Sequence, residues 1–215
     1  MGFPPRSEFT EWMSPQALFE KAEFARLQMD EPSFCVGSKT GHLREAWVLA
    51  RVGRLLDSTC CRLADTDPPD GLMQVAGRVV PVEVTVLLDP DRRWGDEFKP
   101  GGRAHQRVRQ VSQDEIDRAI DENIEWLGKR IGAKIAKDHR YPVNTVLLLY
   151  HNARLWNFEP ERTTAELEAA SRLRGNNIIG SVILFDGDLY GQDTMARLRA
   201  CAQERTKRDA RDADE

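Results

Sequence analysis

The hydrophobic positions of the chain fall into stretches of two different periods. Leu18, Ala22, Ala25 and Met29 recur at helical steps, and Ser14-Pro15 before them supplies a capping serine and a first-turn proline, so a helix is predicted to about Met29. A second stripe, Leu49, Val52, Leu56, Cys60 and Leu63, predicts a helix over about 42–63. Four residues before Leu49 stands Glu45, which places an acidic side chain on that apolar face. The longest helix is predicted from Ser112 to about Asp138, with Ser112 and Glu115 spaced as a capping box and Ile116, Ile120, Ile124, Leu127, Ile131 and Ile135 as its stripe. Shorter helices are expected from Thr163 or Thr164 to about Leu173 and from about Gln192 to Thr206.

Between these stretches the pattern changes. Leu72 to Val75 and Arg78 to Leu88 predict a hairpin about Ala76-Gly77. Val143 to Tyr150 and Ile178 to Phe185 are continuous apolar runs, of the kind buried on both faces of a parallel or mixed sheet. Asp65 to Gly71, DTDPPDG, is a loop, as is the charged segment Asp89 to Gly102. Residues 1–13 read as an arm with aromatic anchors Phe3, Phe9 and Trp12, and Lys207 to Glu215 as a solvated tail. The order of elements predicts an α/β protein with a mixed sheet. It divides into an arm and helix over 1–38, an α/β core over 39–190, and a C-terminal helix and charged tail over 191–215.

Composition narrows the choice of chemistry. With 40% hydrophobic and 31% charged residues the chain suits a globular protein, and its net charge of −4 leaves nucleic-acid binding to a local basic patch. The four cysteines include the adjacent pair Cys60-Cys61 and form no C-x-x-C, which disfavours zinc and suits reduced thiols. No charged start followed by an apolar run and no 18-residue apolar stretch occurs, so a cytoplasmic protein without a membrane span is expected. No phosphate-binding G-x-x-x-x-G-K-[ST] or nucleophile-bearing G-x-S-x-G is present.

The informative stretch is Pro69-Asp70, then Glu83-Val84-Thr85 within the apolar run Val79 to Leu88. Alternation puts Glu83 and Thr85 on one strand face and Val82, Val84 and Val86 on the other. A carboxylate in so apolar a strand needs a partner: a divalent cation, or an arginine from a packed helix. Glu45 in the first core helix, Pro69-Asp70 before the hairpin, Glu83-x-x in the central strand, then a helix and a buried strand: this resembles the PD-(D/E)XK nuclease superfamily over about residues 42–150. The run VEVTVLLDPDRRWGDEFK is also similar to a group of uncharacterised bacterial proteins with an E-x-T variant of the motif.

The resemblance implies a restriction-endonuclease-like fold, a mixed β-sheet flanked by helices, and hydrolysis of nucleic acid phosphodiesters with Mg²⁺ or Mn²⁺. It implies that Asp70, Glu83 and the Val84 carbonyl are metal ligands, with Glu45 near them. The family lysine is replaced by Thr85, which carries no positive charge, so another cation must stand in. Lys134 ranks ahead of Lys137, Lys99 in the loop after the strand is another candidate, and the favoured reading of each is a solvated charge. The same gap supports the alternative of an inactive nuclease-fold protein that binds protein or nucleic acid. In the loop after the strand, Arg92, Arg93, Lys99, Arg103 and Arg107 are candidate phosphate contacts or partners of neighbouring acids, and Trp94 and Phe98 among them read first as sealing the sheet edge and second as stacking on bases. The expected partner is nucleic acid, DNA ahead of RNA, with a protein partner or a homodimer as further possibilities.

Overall fold

The computed structural model describes residues 3–29, 38–87, 112–151, 160–185 and 188–198. A single open sheet of six strands runs in sequence order: β1 (Cys60–Leu63), β2 (Gly71–Val75), β3 (Arg78–Leu87), β4 (Thr145–His151), β5 (Ile178–Phe185) and β6 (Asp188–Tyr190). β1, β2 and β3 pair antiparallel, β3, β4 and β5 pair parallel, and β6 returns antiparallel. β3 therefore joins the two halves of a mixed sheet. The helices are α1 (Pro15–Leu27), α2 (Gly41–Leu55), α3 (Gln113–Ile135), α4 (Pro160–Ser171) and α5 over residues 192–198.

Each sheet face has its own core. Leu18 and Ala22 of α1, Leu49 and Val52 of α2 and Met195 of α5 pack on Val82, Val84, Val146, Leu148 and Val182. Leu127 and Ile131 of α3 and Leu167 of α4 pack on Leu147, Leu149 and Ile183 of the opposite face. The strand runs Thr145–His151 and Ile178–Phe185 are apolar throughout because helices cover both sides of β4 and β5. Phe9, in the short 3-10 turn Arg6–Phe9, is fully buried in the first core, so the arm is anchored there. Among the described residues no helix is long and apolar enough to cross a membrane.

Two helix starts follow their caps. Ser14 Oγ accepts from the Ala17 amide at 3.1 Å, and Ser112 and Glu115 complete a capping box at the head of α3. Ala76 and Gly77 both take positive φ, 49° and 78°, as a tight two-residue hairpin turn requires. One expected helix is corrected. The stripe through Cys60 and Leu63 does not continue α2, which ends at Leu55; Asp57 turns left-handed at φ 53° and Cys60–Leu63 becomes β1. Ser58 holds this reversal by donating from its hydroxyl to the Gln74 carbonyl at 2.8 Å. Four residues with alternate positions buried fit either period, and strand pairing with β2 decides the outcome. The fourth helix also starts earlier than expected, at Pro160, and β6 falls in a segment read as a turn and its sequel.

Asp138 ties the end of α3 to the start of β5. Its carboxylate accepts from the amides of Asn176 at 2.9 Å, Asn177 at 2.9 Å and Ile178 at 2.7 Å. A Cβ at Gly175 would lie 2.3 Å from Asp138 Oδ1, so only glycine permits this approach. Burial pushes the Asp138 carboxyl up, but the three amides outweigh it and hold it below the usual carboxylate range. A depressed folded pKa contributes stability above the ordinary aspartate range that is lost as pH falls through the folded value. Asp138→Asn should therefore lower the melting temperature at pH 7, with the difference from wild type shrinking in thermal melts taken toward pH 3.

Candidate metal centre

The site grows from three pieces of chain that the fold brings to one point. β3 places Glu83 and Thr85 on the face toward α3, because their neighbours Val82 and Val84 fill the core toward α2. The loop 64–70 enters from β1. It is drawn in at Gly71, where a Cβ would come within 2.7 Å of Leu49 Cδ2 on α2. Asp70 is thereby held beside β3, and its Oδ2 accepts from the Val84 amide at 2.8 Å. α3 supplies Lys134, whose Nζ lies 2.6 Å from Glu83 Oε1.

Oxygens of Asp67, Asp70 and Glu83 lie within 4.8 Å of one another, an acidic cluster that could hold a metal ion. Glu83 is only 6% exposed, and its Oε2 is buried with no hydrogen-bond partner. The Thr85 hydroxyl, on the same strand face, is likewise buried and unpartnered. Unpartnered buried oxygens are costly in a folded protein and mark a place where a ligand, ion or water completes the bonding. An all-oxygen carboxylate set suits a hard divalent cation such as Mg²⁺ or Mn²⁺. The donor set and the spare Glu83 oxygen therefore fit such an ion.

Electrostatics separates the charged groups into distinct states. Burial, reinforced by the charges of Glu45 and Glu83, pushes the Asp70 carboxyl up to about 7. Burial pulls the Lys134 ammonium down, but the adjoining Glu83 carboxylate more than offsets this and holds it above its usual value. Lys134 thus stays charged beside Glu83, while Asp70 sits near its midpoint at neutral pH.

Of the residues read from the sequence, Asp70, Glu83 and Lys134 meet at this cluster. Val84 borders the same cleft. Glu45 lies near enough to raise the Asp70 pKa, yet it is paired with Arg6, whose Nη1 stands 2.7 Å from Glu45 Oε2. Arg6 also donates to the Asp70 carbonyl at 2.9 Å and to the Ala64 carbonyl at 3.3 Å, so the N-terminal arm fastens the acidic loop. Asp67 and Arg6 are the two site residues sequence reasoning missed. For Asp67 the available signal was a second acid three residues before Asp70 in a proline-rich loop; Arg6 had none. Arg92, Arg93, Lys99, Arg103 and Arg107 lie outside the described residues, as do Trp94 and Phe98.

The cluster opens into a cleft of about 510 Å³ between β3, the 64–70 loop and the end of α3. Comparison with protein-family models, with curated proteins and with solved structures gives no match, so the site is read from this chain's own residues. A folded-state Asp70 pKa above the ordinary value means that metal-free stability falls as pH rises from about 4 to about 7. Metal must also displace the Asp70 proton in that range. Mn²⁺ should raise the melting temperature more at pH 8 than at pH 6. Asp70→Asn should abolish that shift while raising the metal-free melting temperature at pH 8. An unchanged melting temperature with Mn²⁺ at pH 8 would remove the metal centre.

Proposed function

We propose that this protein is a divalent-cation-dependent phosphodiester hydrolase acting on nucleic acid, DNA ahead of RNA, on a restriction-endonuclease-like frame. The observation that carries the reading is the delivery of Lys134 from α3 to Glu83, 2.6 Å away, on the strand face where Thr85 replaces a lysine. The charge absent from β3 is thus available from the neighbouring helix. The element order around it, acid-bearing helix, acidic loop, hairpin with a buried glutamate, helix and parallel strand, supports the same reading.

In this account Asp67, Asp70 and Glu83 hold a Mg²⁺ or Mn²⁺ ion. Bound there, such an ion would supply Lewis-acid polarisation and an acidified water. Lys134 remains an ammonium and faces the negative charge that develops on the phosphate oxygens. The Thr85 hydroxyl, unpartnered and bordering the cleft, is placed to donate to a phosphate oxygen or to the water. The second reading, an inactive binding module, draws on the internal neutralisation of the site: Arg6 pairs with Glu45 and Lys134 with Glu83.

Cleavage of plasmid, single-stranded DNA and RNA with Mg²⁺ or Mn²⁺ separates the two readings. The hydrolase should cut at least one substrate only with metal; Glu83→Ala should fall to background and Lys134→Ala should lose about 10²–10³ in rate. Equal cleavage by Glu83→Ala, or none on any substrate by wild type, would leave the binding module.

A further inference from the structure

The cleft beside the carboxylates carries a charge opposite to that of the whole chain. Among the described residues its walls hold four cations, Arg130, Lys134, Lys137 and Arg140, against the carboxylates Asp67 and Glu83, with Asp70 of the same cluster beside them, in a chain of net charge −4. Lys134 is engaged with Glu83. Arg130, Lys137 and Arg140 are exposed, and among the described residues none of them is paired with a carboxylate. Arg130 lies over the Trp126 ring, 5.4 Å from its centroid, which holds the guanidinium without neutralising it. Three unneutralised cations lining one wall of a cleft are an electrostatic attractor for anions.

Their spacing matches an extended anion. Arg130 and Lys134 are one helical turn apart, and Lys137 and Arg140 continue the line through the end of α3 and the 3-10 turn Asp138–Arg140. The four residues from Arg130 to Lys134 advance roughly 6 Å at about 1.5 Å each, the axial rise of about two nucleotides, and Lys137 lies two residues past the helix end at Ile135. The cleft also has room. Six waters around an ion take about 180 Å³ at about 30 Å³ each, well under half of the 510 Å³ present. Complementing the α3 dipole would explain Lys134 and Lys137 near its C-terminus but not Arg130, which sits more than a turn earlier. Asp138 anchors this turn to β5 through three amides, so the line of cations is held on a rigid support.

We infer that Arg130, Lys137 and Arg140 form a track for successive phosphates of a nucleic-acid strand, leading one of them to the carboxylate cluster. The inference deepens the hydrolase reading and rests on it for the identity of the strand. It places backbone binding on α3 and the turn after it.

The test measures binding without turnover. Anisotropy of a labelled 15-nucleotide strand is followed in Ca²⁺ over a salt series, for wild type and for Arg130→Ala/Lys137→Ala/Arg140→Ala. A control, Arg54→Ala/Lys129→Ala/Arg172→Ala, removes the same charge from outside the cleft. Competition by a nucleoside triphosphate distinguishes a strand from a free nucleotide, and a Mn²⁺ melting shift reports the metal centre separately. The track variant should bind about tenfold or more weakly, with a log K against log salt slope reduced by about 2, since each single-strand phosphate contact contributes about 0.7. The control should bind as wild type, the triphosphate should compete poorly, and the Mn²⁺ shift should persist in the track variant. Equal weakening in control and track variants, unchanged binding in the track variant, or competition by the triphosphate at the strand's own affinity would overturn the track. Loss of the Mn²⁺ response in wild type with track-dependent binding intact would instead sink the hydrolase and keep the track.

Discussion

Glu83 stands on the strand that joins the antiparallel and parallel halves of the sheet, with 6% of its surface exposed. Moving an ionised carboxylate from water to such a position costs several kcal/mol even after the surroundings relax. Its neighbours Val82 and Val84 fill the core toward α2, so the charge can turn only to the opposite face. The surrounding site answers that constraint. Lys134 satisfies one oxygen of Glu83 from α3, and the loop carrying Asp67 and Asp70 closes beside the glutamate, whose other oxygen is unpartnered. Burial, reinforced by the charges of Glu45 and Glu83, pushes the Asp70 carboxyl in this loop up to about 7. An arrangement that gathers like charges around a buried glutamate is poorly suited to stability alone. Apolar residues of similar volume commonly serve a core as well as a buried ion pair does. The cluster makes physical sense when a cation joins it.

The two faces of the sheet divide the labour. The α1, α2 and α5 side is a continuous apolar core into which Val82, Val84 and Leu148 are packed. The α3 and α4 side is apolar over β4 and β5 but opens at β3 into the charged cleft. Strand alternation converts this asymmetry into chemistry, since each valine turned inward leaves Glu83 or Thr85 turned to the cleft. The N-terminal arm contributes from the other direction. Phe9 in the core fixes the 3-10 turn, and Arg6 in that turn holds Glu45 and the carbonyls of the acidic loop. The acids thus rest on the arm, on Gly71 against α2, and on the Val84 amide.

The parts of this arrangement that were legible in the sequence are those with a local signature. Caps at Ser14 and Ser112, the Ala76-Gly77 turn and the apolar runs of β4 and β5 each specify their own structure within a few residues. The helical period brought Glu45 onto the face of Leu49, and strand alternation separated Glu83 from Val84. β1 was misread because Cys60 and Leu63 satisfy the helical step, while the left-handed Asp57 and the pairing with Gln74 and Met73 that override it involve distant or unmarked residues. Asp67 gave only a loop's composition. Arg6 acts on Asp70 from 64 residues away, a distance no periodicity spans. Lys134 could be ranked from the sequence by its neighbours Ile131 and Ile135, but its meeting with Glu83 is a property of α3 lying across the sheet.

Asp67, Asp70 and Glu83 form a cluster that could hold one divalent cation beside Lys134. A crystal structure of the protein grown with Mn²⁺, with anomalous data at the manganese edge, tests it most directly. The account predicts an anomalous peak bonded to oxygens of all three carboxylates, with Glu83 Oε2 no longer unpartnered and Lys134 still within ion-pair distance. An empty cluster with manganese bound elsewhere, or a peak held by only one of the three acids, would contradict it.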